Sequence, residues 1–258
     1  MSLSDHLPHA ALVTGAGKRI GRAIALDLGA RGFAVAVHYH SSPDAAEAVV
    51  AEIRGHGGKA VALQADLADE AAVERLVPAA VDALGPLGVL INNASTFEFD
   101  SVASATRAGW DRHMEANLRA PFVLIQQFAQ QLPETAEGAV VNLLDQRVWN
   151  LTPHFVTYTV SKAALWTLTQ TLALALAPRI RVNGIGPGPT LPSTHQTETQ
   201  FAQQCTAMPL GRGTSPDEIV AAVWFLLQAR AMTGQMLALD GGQHLGWAQP
   251  KQSISVVD

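Results

Sequence analysis

The sequence predicts an α/β fold: a single doubly wound domain in which a parallel sheet of about seven strands carries helices on both faces. Short apolar runs rich in Val, Ile and Leu alternate with longer helical patterns, as expected for βαβ units. The chain has 258 residues, enough for one well-buried domain of this kind, and it contains no linker. Its hydrophobic content of 48% and mean hydropathy of +0.15 fit a sheet that helices cover on both faces.

The alternation defines the elements in order along the chain. Strands are predicted at residues 11–14, 34–38, 60–64, 89–92, 139–144, 181–185 and 236–239, where the letters run from ALVT to MLAL. Helices are predicted between them at residues 19–30, 43–54, 69–84, 110–131, 155–177 and 216–228. One helix therefore joins each strand to the next, which is the connection that parallel strands require.

Two stretches interrupt this alternation. Residues 188–216 form a long, polar segment that is poor in strand signal, and segments of that length are usually functional lids or disordered. We expect a substrate lid at about residues 189–215. The tail at residues 243–258 contains two apolar spots and is a candidate segment for docking on a neighbouring subunit.

Charge and cysteine content argue against several classes of protein. The formal net charge of −5 and the pI of about 6.0 disfavour a nucleic acid or an anionic membrane as a partner held by bulk charge. Cys205 is the single cysteine, which excludes an intrachain disulfide framework and a multi-cysteine metal site. No signal-peptide pattern is present, and no apolar run reaches the roughly 18 residues of a membrane span. We therefore expect a cytoplasmic protein.

A glycine-rich turn follows the first strand. The stretch TGAGKRIG, residues 14–21, places Gly15, Gly17 and Gly21 between a strand and a helix. Backbone N–H groups and the positive helix end face a phosphate in such turns. The spacing is one residue longer than the ordinary dinucleotide fingerprint, and turns of this kind also contain glycine for backbone reasons alone.

The end of the second strand indicates which nicotinamide cofactor the chain prefers. Enzymes for unphosphorylated NAD place an acid there to accept from the ribose 2′-OH, whereas residues 38–42 read HYHSS. Hydroxyl groups and cations favour a 2′-phosphate, and the candidates to supply them are Lys18, Arg19, His40, Ser41 and Ser42. The expected cofactor is NADPH. The alternative interpretation of HYHSS is a strand end with surface histidines. A zinc site is disfavoured because no third ligand is evident.

The stretch YTVSK contains a candidate proton donor. It places Tyr158 and Lys162 one helical turn apart, so that both project from one face. A phenol with a pKa of about 10 is a poor proton source for carbonyl or imine chemistry. We expect the neighbouring ammonium of Lys162 to lower that pKa. Such a pair is useful where a hydride arrives at the adjacent atom.

Several short motifs occur in the order and spacing of one enzyme family over nearly the whole chain. They are TGxxxxIG at residues 14–21, ADL at 65–67, NNAS at 92–95, Asn117, YxxxK at 158–162, GPG at 186–188 and DGG at 240–242. Together they resemble the short-chain dehydrogenase/reductase family, which has a Rossmann fold. The resemblance also implies a homotetramer joined through two long helices, here residues 110–131 and 155–177.

The resemblance implies a role for each matching residue. Tyr158 would donate the proton, Lys162 would bind the nicotinamide ribose and assist Tyr158, and Asn117 would hold a water in the proton relay. Asp66 and Leu67 would hold the adenine. The other implied cofactor contacts are Thr14, Gly15, Gly17, Lys18, Arg19, Ile20, Gly21, Asn92, Asn93, Ala94, Pro187, Gly188 and Thr190.

Two positions depart from the general pattern of the family. Arg19 stands where the turn of the family has glycine, and Asp145 stands thirteen residues before Tyr158, where the family has serine. An ionised carboxylate only accepts hydrogen bonds, whereas a serine hydroxyl can also donate one to a carbonyl. Asp145 therefore suits a substrate that presents N–H groups, or a reaction in which the acid or a bound water passes on a proton.

Both departures, together with NNASTF at residues 92–97, resemble the pteridine reductases and the bacterial dihydromonapterin/dihydrofolate reductases within the family. In that branch a pterin stacks between the nicotinamide and a phenylalanine, which matches Phe97. The resemblance implies that Ser95 contacts pterin and phosphate, that Arg19 reaches the phosphates and the pterin edge, and that Asp145 faces the ring nitrogens. The expected activity is NADPH-dependent reduction of a pterin-like C=N bond, with Tyr158 as proton donor.

Other interpretations of the same residues stay open. The chain is also compatible with a general carbonyl or 3-oxoacyl reductase that carries Asp145, or with an NADP-sensing regulatory protein that has lost the chemistry. The intact Tyr158, Lys162 and Asn117 argue against the regulatory protein. Phe97 is also compatible with a loop aromatic that packs on the core, and Asp145 with the cap of a turn after its strand.

Overall fold

Over residues 2–193 and 196–246, the computed structural model contains seven strands in one parallel sheet. The strands are β1 Ala10–Val13, β2 Ala34–Tyr39, β3 Ala60–Gln64, β4 Val89–Asn92, β5 Gly138–Leu143, β6 Ile180–Pro187 and β7 Met236–Leu239. Their order is β3-β2-β1-β4-β5-β6-β7, and every neighbouring pair is parallel. The predicted doubly wound α/β fold is confirmed, because the strand order reverses direction between β1 and β4.

The helices join the strands as predicted, with two differences. Within the described residues they are α1 Arg19–Ala30, α2 Pro43–Gly55, α3 Glu70–Leu84, α4 Arg107–Met114, α5 Ala120–Gln131, α6 Val156–Leu176, α7 Glu198–Thr206 and α8 Pro216–Gln228. The single helix predicted at residues 110–131 is wrong in detail, because a π-helical turn, Glu115–Arg119, separates α4 from α5. The helix α7 lies inside the predicted lid, where no helix was expected.

Burial on both faces of the sheet explains why the strands read as continuous apolar runs. Successive side chains of a strand point to opposite faces, so Val13 of β1 packs into one core cluster and Leu12 into the other. The first cluster includes Ile24 of α1 and Ile219 of α8, and the second includes Phe128 of α5. The sheet is therefore a rigid middle layer, and its carboxyl edge is the place where loops meet.

The segment predicted to be a lid is held by backbone hydrogen bonds to the chain that follows β6 and β7. Thr214 N donates to Pro189 O over 2.9 Å, which brings the two ends of the lid together. Leu210 N donates to Gly241 O over 3.0 Å in the segment after β7. The helix α7 begins with a capping box between Thr197 and Gln200.

The predicted lid segment and the tail each extend beyond the described residues. Residues 194–195 of the lid and residues 247–258 of the candidate docking tail lie outside the described residues. In the part that is described, no helix has the length and apolar character to cross a membrane. Nor does that part bring three or more His, Cys, Asp or Glu side chains together in a way that could hold a metal ion.

Candidate active site

A cavity of about 330 Å³ opens at the carboxyl edge of the sheet, beside the point where the strand order reverses. Ligands of doubly wound folds bind at this place. The predicted site residues that line the cavity are Arg19, Ile20, Asn93, Ser95, Phe97, Asp145, Tyr158, Lys162, Pro187, Gly188 and Thr190. Residues of the lid, among them Leu191, Gln196 and Phe201, line it as well.

The glycine-rich turn requires glycine at particular positions. Gly15 has a φ of +63°, a conformation that glycine adopts without strain. A Cβ at Gly21 would lie 2.3 Å from Gly15 O, so only glycine allows α1 to begin this close to the turn. Asn93 Nδ2 donates to Thr14 O over 2.8 Å, and Thr14 Oγ1 accepts from the N–H groups of Asn93 and Ala94 at 2.9 Å each. The turn after β1 and the segment after β4 are thereby one rigid cradle.

His38, on β2, supports the glycine-rich turn. The sequence analysis missed this role, because it expected the histidines of HYHSS at the surface. The side chain is only 1% exposed. Gly15 N donates to His38 Nδ1 over 3.0 Å, and Nε2 lies 3.1 Å from Ala65 O. Both bonds require a neutral ring that carries its proton on Nε2. Burial lowers the pKa of His38 to about 4, so the ring stays neutral at physiological pH.

Arg19 occupies its glycine-like position with a left-handed backbone, since its φ is +53°. Its guanidinium donates to the lid, from Nη1 to Pro192 O over 2.9 Å and from Nη2 to Leu191 O over 3.2 Å. The side chain thus lines the cavity and links the glycine-rich turn to the predicted lid segment. The predicted position at the cavity stands, and the contact with the lid backbone is a feature that the sequence did not predict.

Four residues expected at the 2′-phosphate, Lys18, His40, Ser41 and Ser42, lie beside the end of β2, whereas the guanidinium of Arg19, expected there too, contacts the backbone after β6 instead. Lys18 Nζ donates to Ser42 Oγ over 2.8 Å, and Ser41 is exposed next to them. His40 Nε2 lies 3.6 Å from Asp66 Oδ2, so the segments after β2 and β3 meet there. An ammonium and hydroxyl groups without an acid at the strand end suit a phosphate better than a bare 2′-OH.

Tyr158 and Asp145 form the centre of the cavity. Tyr158 Oη donates to Asp145 Oδ2 over 2.9 Å. The other carboxylate oxygen, Oδ1, accepts from Arg147 N over 2.8 Å. Asp145 thereby caps a short 3₁₀ turn. Asp145 therefore caps a turn and faces the cavity at the same time, because it has one oxygen for each task. The sequence left two interpretations of Asp145 open, a contact with the substrate and the cap of a turn. Both are compatible with this geometry.

The pKa of Tyr158 is raised, although the sequence predicted that Lys162 would lower it. Burial raises the pKa of Tyr158 well above its usual value, and the charge and hydrogen bond of Asp145 add to the rise. Arg147 opposes it more weakly. Lys162 Nζ donates to Leu143 O over 2.7 Å and lies 5.8 Å from the centre of the tyrosine ring. Tyr158 thus keeps its proton over a wide pH range and remains a proton donor rather than a phenolate.

Lys162 itself is a buried ammonium, with 2% of the residue exposed. Burial lowers the pKa of Lys162 to about 8, while the negative charge of Asp145 raises it in part. The ammonium has three N–H donors, and one of them is bonded to Leu143 O. The other two can donate to hydroxyl groups placed in the cavity. This fits the expected contact with a ribose.

Asn117 projects from the π-helical turn and fixes the loop that carries Ser95. Its Oδ1 accepts from Thr96 N at 2.8 Å and from Ser95 Oγ at 3.2 Å. Its Nδ2 donates to Thr96 O over 2.9 Å and to Ser161 Oγ over 3.1 Å. Asn117 does not line the cavity, so these contacts make it a support for the loop beside Tyr158, and its predicted role with a water stays a prediction.

Phe97 stands in an aromatic group at the mouth of the cavity. It stacks on Phe155 with the ring centres 4.5 Å apart and the planes 5° apart, and it meets the edge of Tyr158 at 4.8 Å. Phe97 is 40% exposed, which leaves part of the ring free to contact a ligand. Phe155 was not predicted as a site residue, because an isolated aromatic before a helix gives no signal of its own.

Asn92 is a predicted cofactor contact whose side chain lies between two strands of the sheet. Its side chain is 3% exposed and donates from Nδ2 to Asn142 Oδ1 over 2.8 Å, between the paired strands β4 and β5. It does not line the cavity.

At the end of β6, Thr190 Oγ1 donates to Gly188 O over 3.0 Å, and a Cβ at Gly188 would lie 2.7 Å from Asp240 Cα. The chain after β6 therefore runs close along the cavity, as expected.

These groups fit a phosphorylated dinucleotide. Because Gly21 has no Cβ, α1 begins close to the turn of residues 14–21, and the N-terminus of a helix placed there suits a pyrophosphate. Lys18 and Ser42 suit the 2′-phosphate, and Lys162 suits the hydroxyls of a ribose. Tyr158 would then lie beside the nicotinamide.

Known proteins resemble this chain over most of its length. A family model described as enoyl-(acyl carrier protein) reductase, of the short-chain type, matches residues 15–244. Among curated proteins, the 3-oxoacyl-[acyl-carrier-protein] reductase FabG of Staphylococcus aureus is 35% identical over 240 residues, which are 91% of this chain and 98% of that protein.

Solved structures give higher identities. FolM alternative dihydrofolate reductase 1 from Brucella suis, in complex with NADP, is 48% identical, with a TM-score of 0.92 over 95% of this chain and 98% of that one. The corresponding protein from Brucella canis, also complexed with NADP, is 46% identical, with a TM-score of 0.90 over 97% of this chain and 100% of that one.

Proposed function

Because the chain belongs to the short-chain dehydrogenase/reductase family and is an NADPH-dependent oxidoreductase, we propose that it reduces a C=N bond of a pterin-like ring. The substrate class is a dihydropterin, dihydrofolate or a biopterin-type compound. One observation carries the proposal: the carboxylate of Asp145 faces the cavity 2.9 Å from Tyr158 Oη, where the family has a serine hydroxyl.

A carboxylate at this position selects for a substrate with N–H donors. Placed against a ketone oxygen, Asp145 would add repulsion between two acceptors, because neither group has a proton to share. Placed against a 2-amino or ring N–H group of a pterin, the same oxygen accepts a charge-assisted hydrogen bond. Phe97, with 40% exposure, offers an aromatic face for such a flat ring.

The chain's own residues supply binding and the proton. When bound, NADPH supplies the hydride that adds to the carbon of the C=N bond. Tyr158 Oη donates its proton to the adjacent nitrogen, so that one hydride and one proton convert C=N to CH–NH. Asp145 orients the substrate through an N–H group, and Lys162 holds hydroxyl groups beside Tyr158. Arg19 lines the cavity and holds the predicted lid segment beside it through hydrogen bonds to Leu191 O and Pro192 O.

Similarity to FolM supports this proposal more strongly than similarity to FabG supports a carbonyl reductase. The two Brucella proteins named dihydrofolate reductase share 46–48% of residues with this chain, whereas FabG shares 35%. The carbonyl reductase is nevertheless the alternative to test, because many curated relatives of the chain carry the 3-oxoacyl reductase name.

The test is a comparison of substrates in one assay. The consumption of NADPH is followed with dihydrobiopterin, dihydromonapterin and dihydrofolate, and in parallel with an acetoacetyl thioester and an aromatic aldehyde. We expect turnover with at least one dihydropterin or dihydrofolate and little with the carbonyl compounds. Good turnover of a carbonyl compound and none of the three ring substrates would replace the proposal by the alternative. Tight NADPH binding without any turnover would favour the regulatory protein.

We propose in addition that the protein assembles as a homotetramer. The long helix α6 leaves Leu174 83% exposed and Val160 41% exposed, and Trp110 of α4 is 42% exposed. Apolar side chains of this size on neighbouring helices are typical of surfaces that a second subunit covers. Light scattering on the purified chain tests this, with a mass four times 27.3 kDa as the expected result and a monomer mass as the contrary one.

A further inference from the structure

We propose that Asp100 is a positioning residue that fixes Phe97 and Tyr158 relative to each other. The proposal rests on the proposed function in assigning Phe97 to substrate stacking and Tyr158 to proton donation. Asp100 lies outside the cavity and is 7% exposed. Its partners belong to the beginning of α6, the helix that carries Tyr158.

Asp100 caps α6 from a distant part of the chain. The residue before the helix, Phe155, provides no side-chain cap. Instead, both carboxylate oxygens of Asp100 accept from Thr157 N, each at 3.3 Å, and Oδ2 also accepts from Thr157 Oγ1. A carboxylate at a helix N-terminus satisfies free N–H groups and interacts favourably with the helix dipole. Because the acid is 57 residues away, the cap links two separate segments.

His113 of α4 extends this link to the loop that carries Phe97. The side chain is 1% exposed, its Nδ1 lies 2.7 Å from Thr157 Oγ1, and its Nε2 accepts from Glu98 N over 3.2 Å. Because the Thr157 hydroxyl donates its proton to Asp100, His113 must donate from Nδ1 to Thr157 Oγ1. Nε2 accepts from Glu98 N and therefore carries no proton, so the ring is neutral. The three side chains form one chain of donors and acceptors: His113, Thr157 and Asp100.

Phe155 transmits the position of this network to the aromatic rings. Its backbone is left-handed, with a φ of +55°, which is a strained conformation for a bulky residue. Phe155 N donates to Asp100 O over 2.8 Å, so Asp100 holds the strained residue through its main chain as well. The ring of Phe155 carries Phe97 on its face at 4.5 Å, and the guanidinium carbon of Arg147 lies 4.9 Å from its centre.

The consequence is a fixed distance between the stacking ring and the proton donor. Phe97 lies in the segment between β4 and α4, and Tyr158 lies on α6, which follows β5 and the 3₁₀ turn. The pairing of β4 with β5 therefore does not set their separation directly. The clamp formed by Asp100 and Thr157 joins the two segments, and the rings of Phe97 and Tyr158 meet at 4.8 Å. Strain held at a functional site in this way is typical of preorganised geometry.

The test uses Thr157, because two substitutions separate its hydroxyl from its shape. Thr157→Val keeps the branched side chain and removes both hydrogen bonds of the hydroxyl, whereas Thr157→Ser keeps the hydroxyl. With the substrate that the wild type turns over, we expect Thr157→Val to lower kcat by about 10- to 100-fold, as a small displacement of a reacting group does. Thr157→Ser should stay within about threefold of the wild type. Asp111→Ala, at an exposed ion pair on α4, is the control.

Two binding measurements distinguish positioning from loss of fold. In Thr157→Val the Kd for NADPH should be unchanged, while the Kd for methotrexate, a probe with a 2,4-diaminopteridine ring, should rise by about tenfold. A loss of NADPH binding in proportion to kcat would show a merely structural role and overturn the proposal. Unchanged kcat in Thr157→Val, or an equal loss in Thr157→Ser, would overturn it as well.

Failure of the clamp and failure of the proposed function give different results. If the wild type reduces only a carbonyl compound, the pterin proposal fails, and kcat for that compound still reports on Tyr158, which donates the proton in both reactions. If the wild type reduces a dihydropterin and Thr157→Val does so equally well, the clamp alone fails.

Discussion

Tyr158 Oη donates a hydrogen bond to Asp145 Oδ2 over 2.9 Å, so the proposed proton donor and the proposed acceptor for substrate N–H groups contact each other. The second oxygen of Asp145 is occupied by Arg147 N at 2.8 Å, which holds the carboxylate in this orientation. A substrate must therefore replace the bond between the two side chains with bonds of its own. A ring that presents both an N–H group and a basic nitrogen satisfies both partners at once.

Replacement of Asp145 separates pterin chemistry from carbonyl chemistry. We expect Asp145→Ser to lower kcat/KM for a dihydropterin by about 10- to 100-fold, which is the range for loss of a hydrogen bond to a charged group. The same change should raise turnover of a carbonyl compound, because serine can donate to its oxygen. Asp145→Asn, which keeps the shape, is the matched control. A rise with both substrate classes would contradict the selective role of the carboxylate.

The alkaline limb of the pH profile reports on Lys162. Burial lowers the pKa of Lys162 to about 8, and Asp145 raises it in part, so the ammonium loses its proton above that pH. We expect kcat/KM to fall above about pH 8 and the midpoint to lie at lower pH in Asp145→Asn, because the carboxylate no longer favours the charged form. Steady-state rates from pH 6 to 10 test this. An unshifted midpoint would show that Asp145 does not influence the titrating group.

The sequence predicted the sheet well and the supports of the site poorly, for physical reasons. Strands such as Val89–Asn92 are buried on both faces, so their apolar runs are visible in the letters alone. By contrast, the burial of His38 depends on the turn above it, and the left-handed backbone of Phe155 depends on Asp100. Tyr158 itself was found by its motif, but its pKa depends on burial and on Asp145, which no spacing encodes.

Arg19 combines backbone strain with a contact to the lid. Its φ of +53° suits glycine, and its guanidinium donates to Leu191 O and Pro192 O. We expect Arg19→Gly to weaken NADPH binding and to lower turnover together, each by about tenfold, because the cation and the lid contact are lost. Fluorescence titration and steady-state kinetics measure the two effects. Unchanged kinetics would make Arg19 an ordinary surface residue.

Arg19→Ala is the matched variant, because it removes the same guanidinium and keeps a Cβ in the left-handed conformation. The two variants should show similar kinetics, while the free energy of unfolding of Arg19→Gly should exceed that of Arg19→Ala by about 1 kcal/mol. Urea denaturation tests this difference. Equal stabilities would indicate that the turn relaxes away from the positive φ when the side chain is shortened.

The buried His38 makes stability depend on pH. Its pKa is lowered to about 4 by burial, from an ordinary value of 6.5, so between these values the unfolded chain binds a proton that the folded chain does not. The free energy of unfolding should therefore decrease as the pH falls from 6.5 to 4, by up to about 3 kcal/mol, and this contribution should level off below that range. In His38→Gln the titrating group is absent, so urea denaturation at pH 7 and pH 4.5 should show a smaller decrease than in the wild type. His56→Gln, at an exposed histidine after α2, should keep the wild-type decrease, and an identical decrease in all three proteins would mean that His38 is not held neutral by the fold.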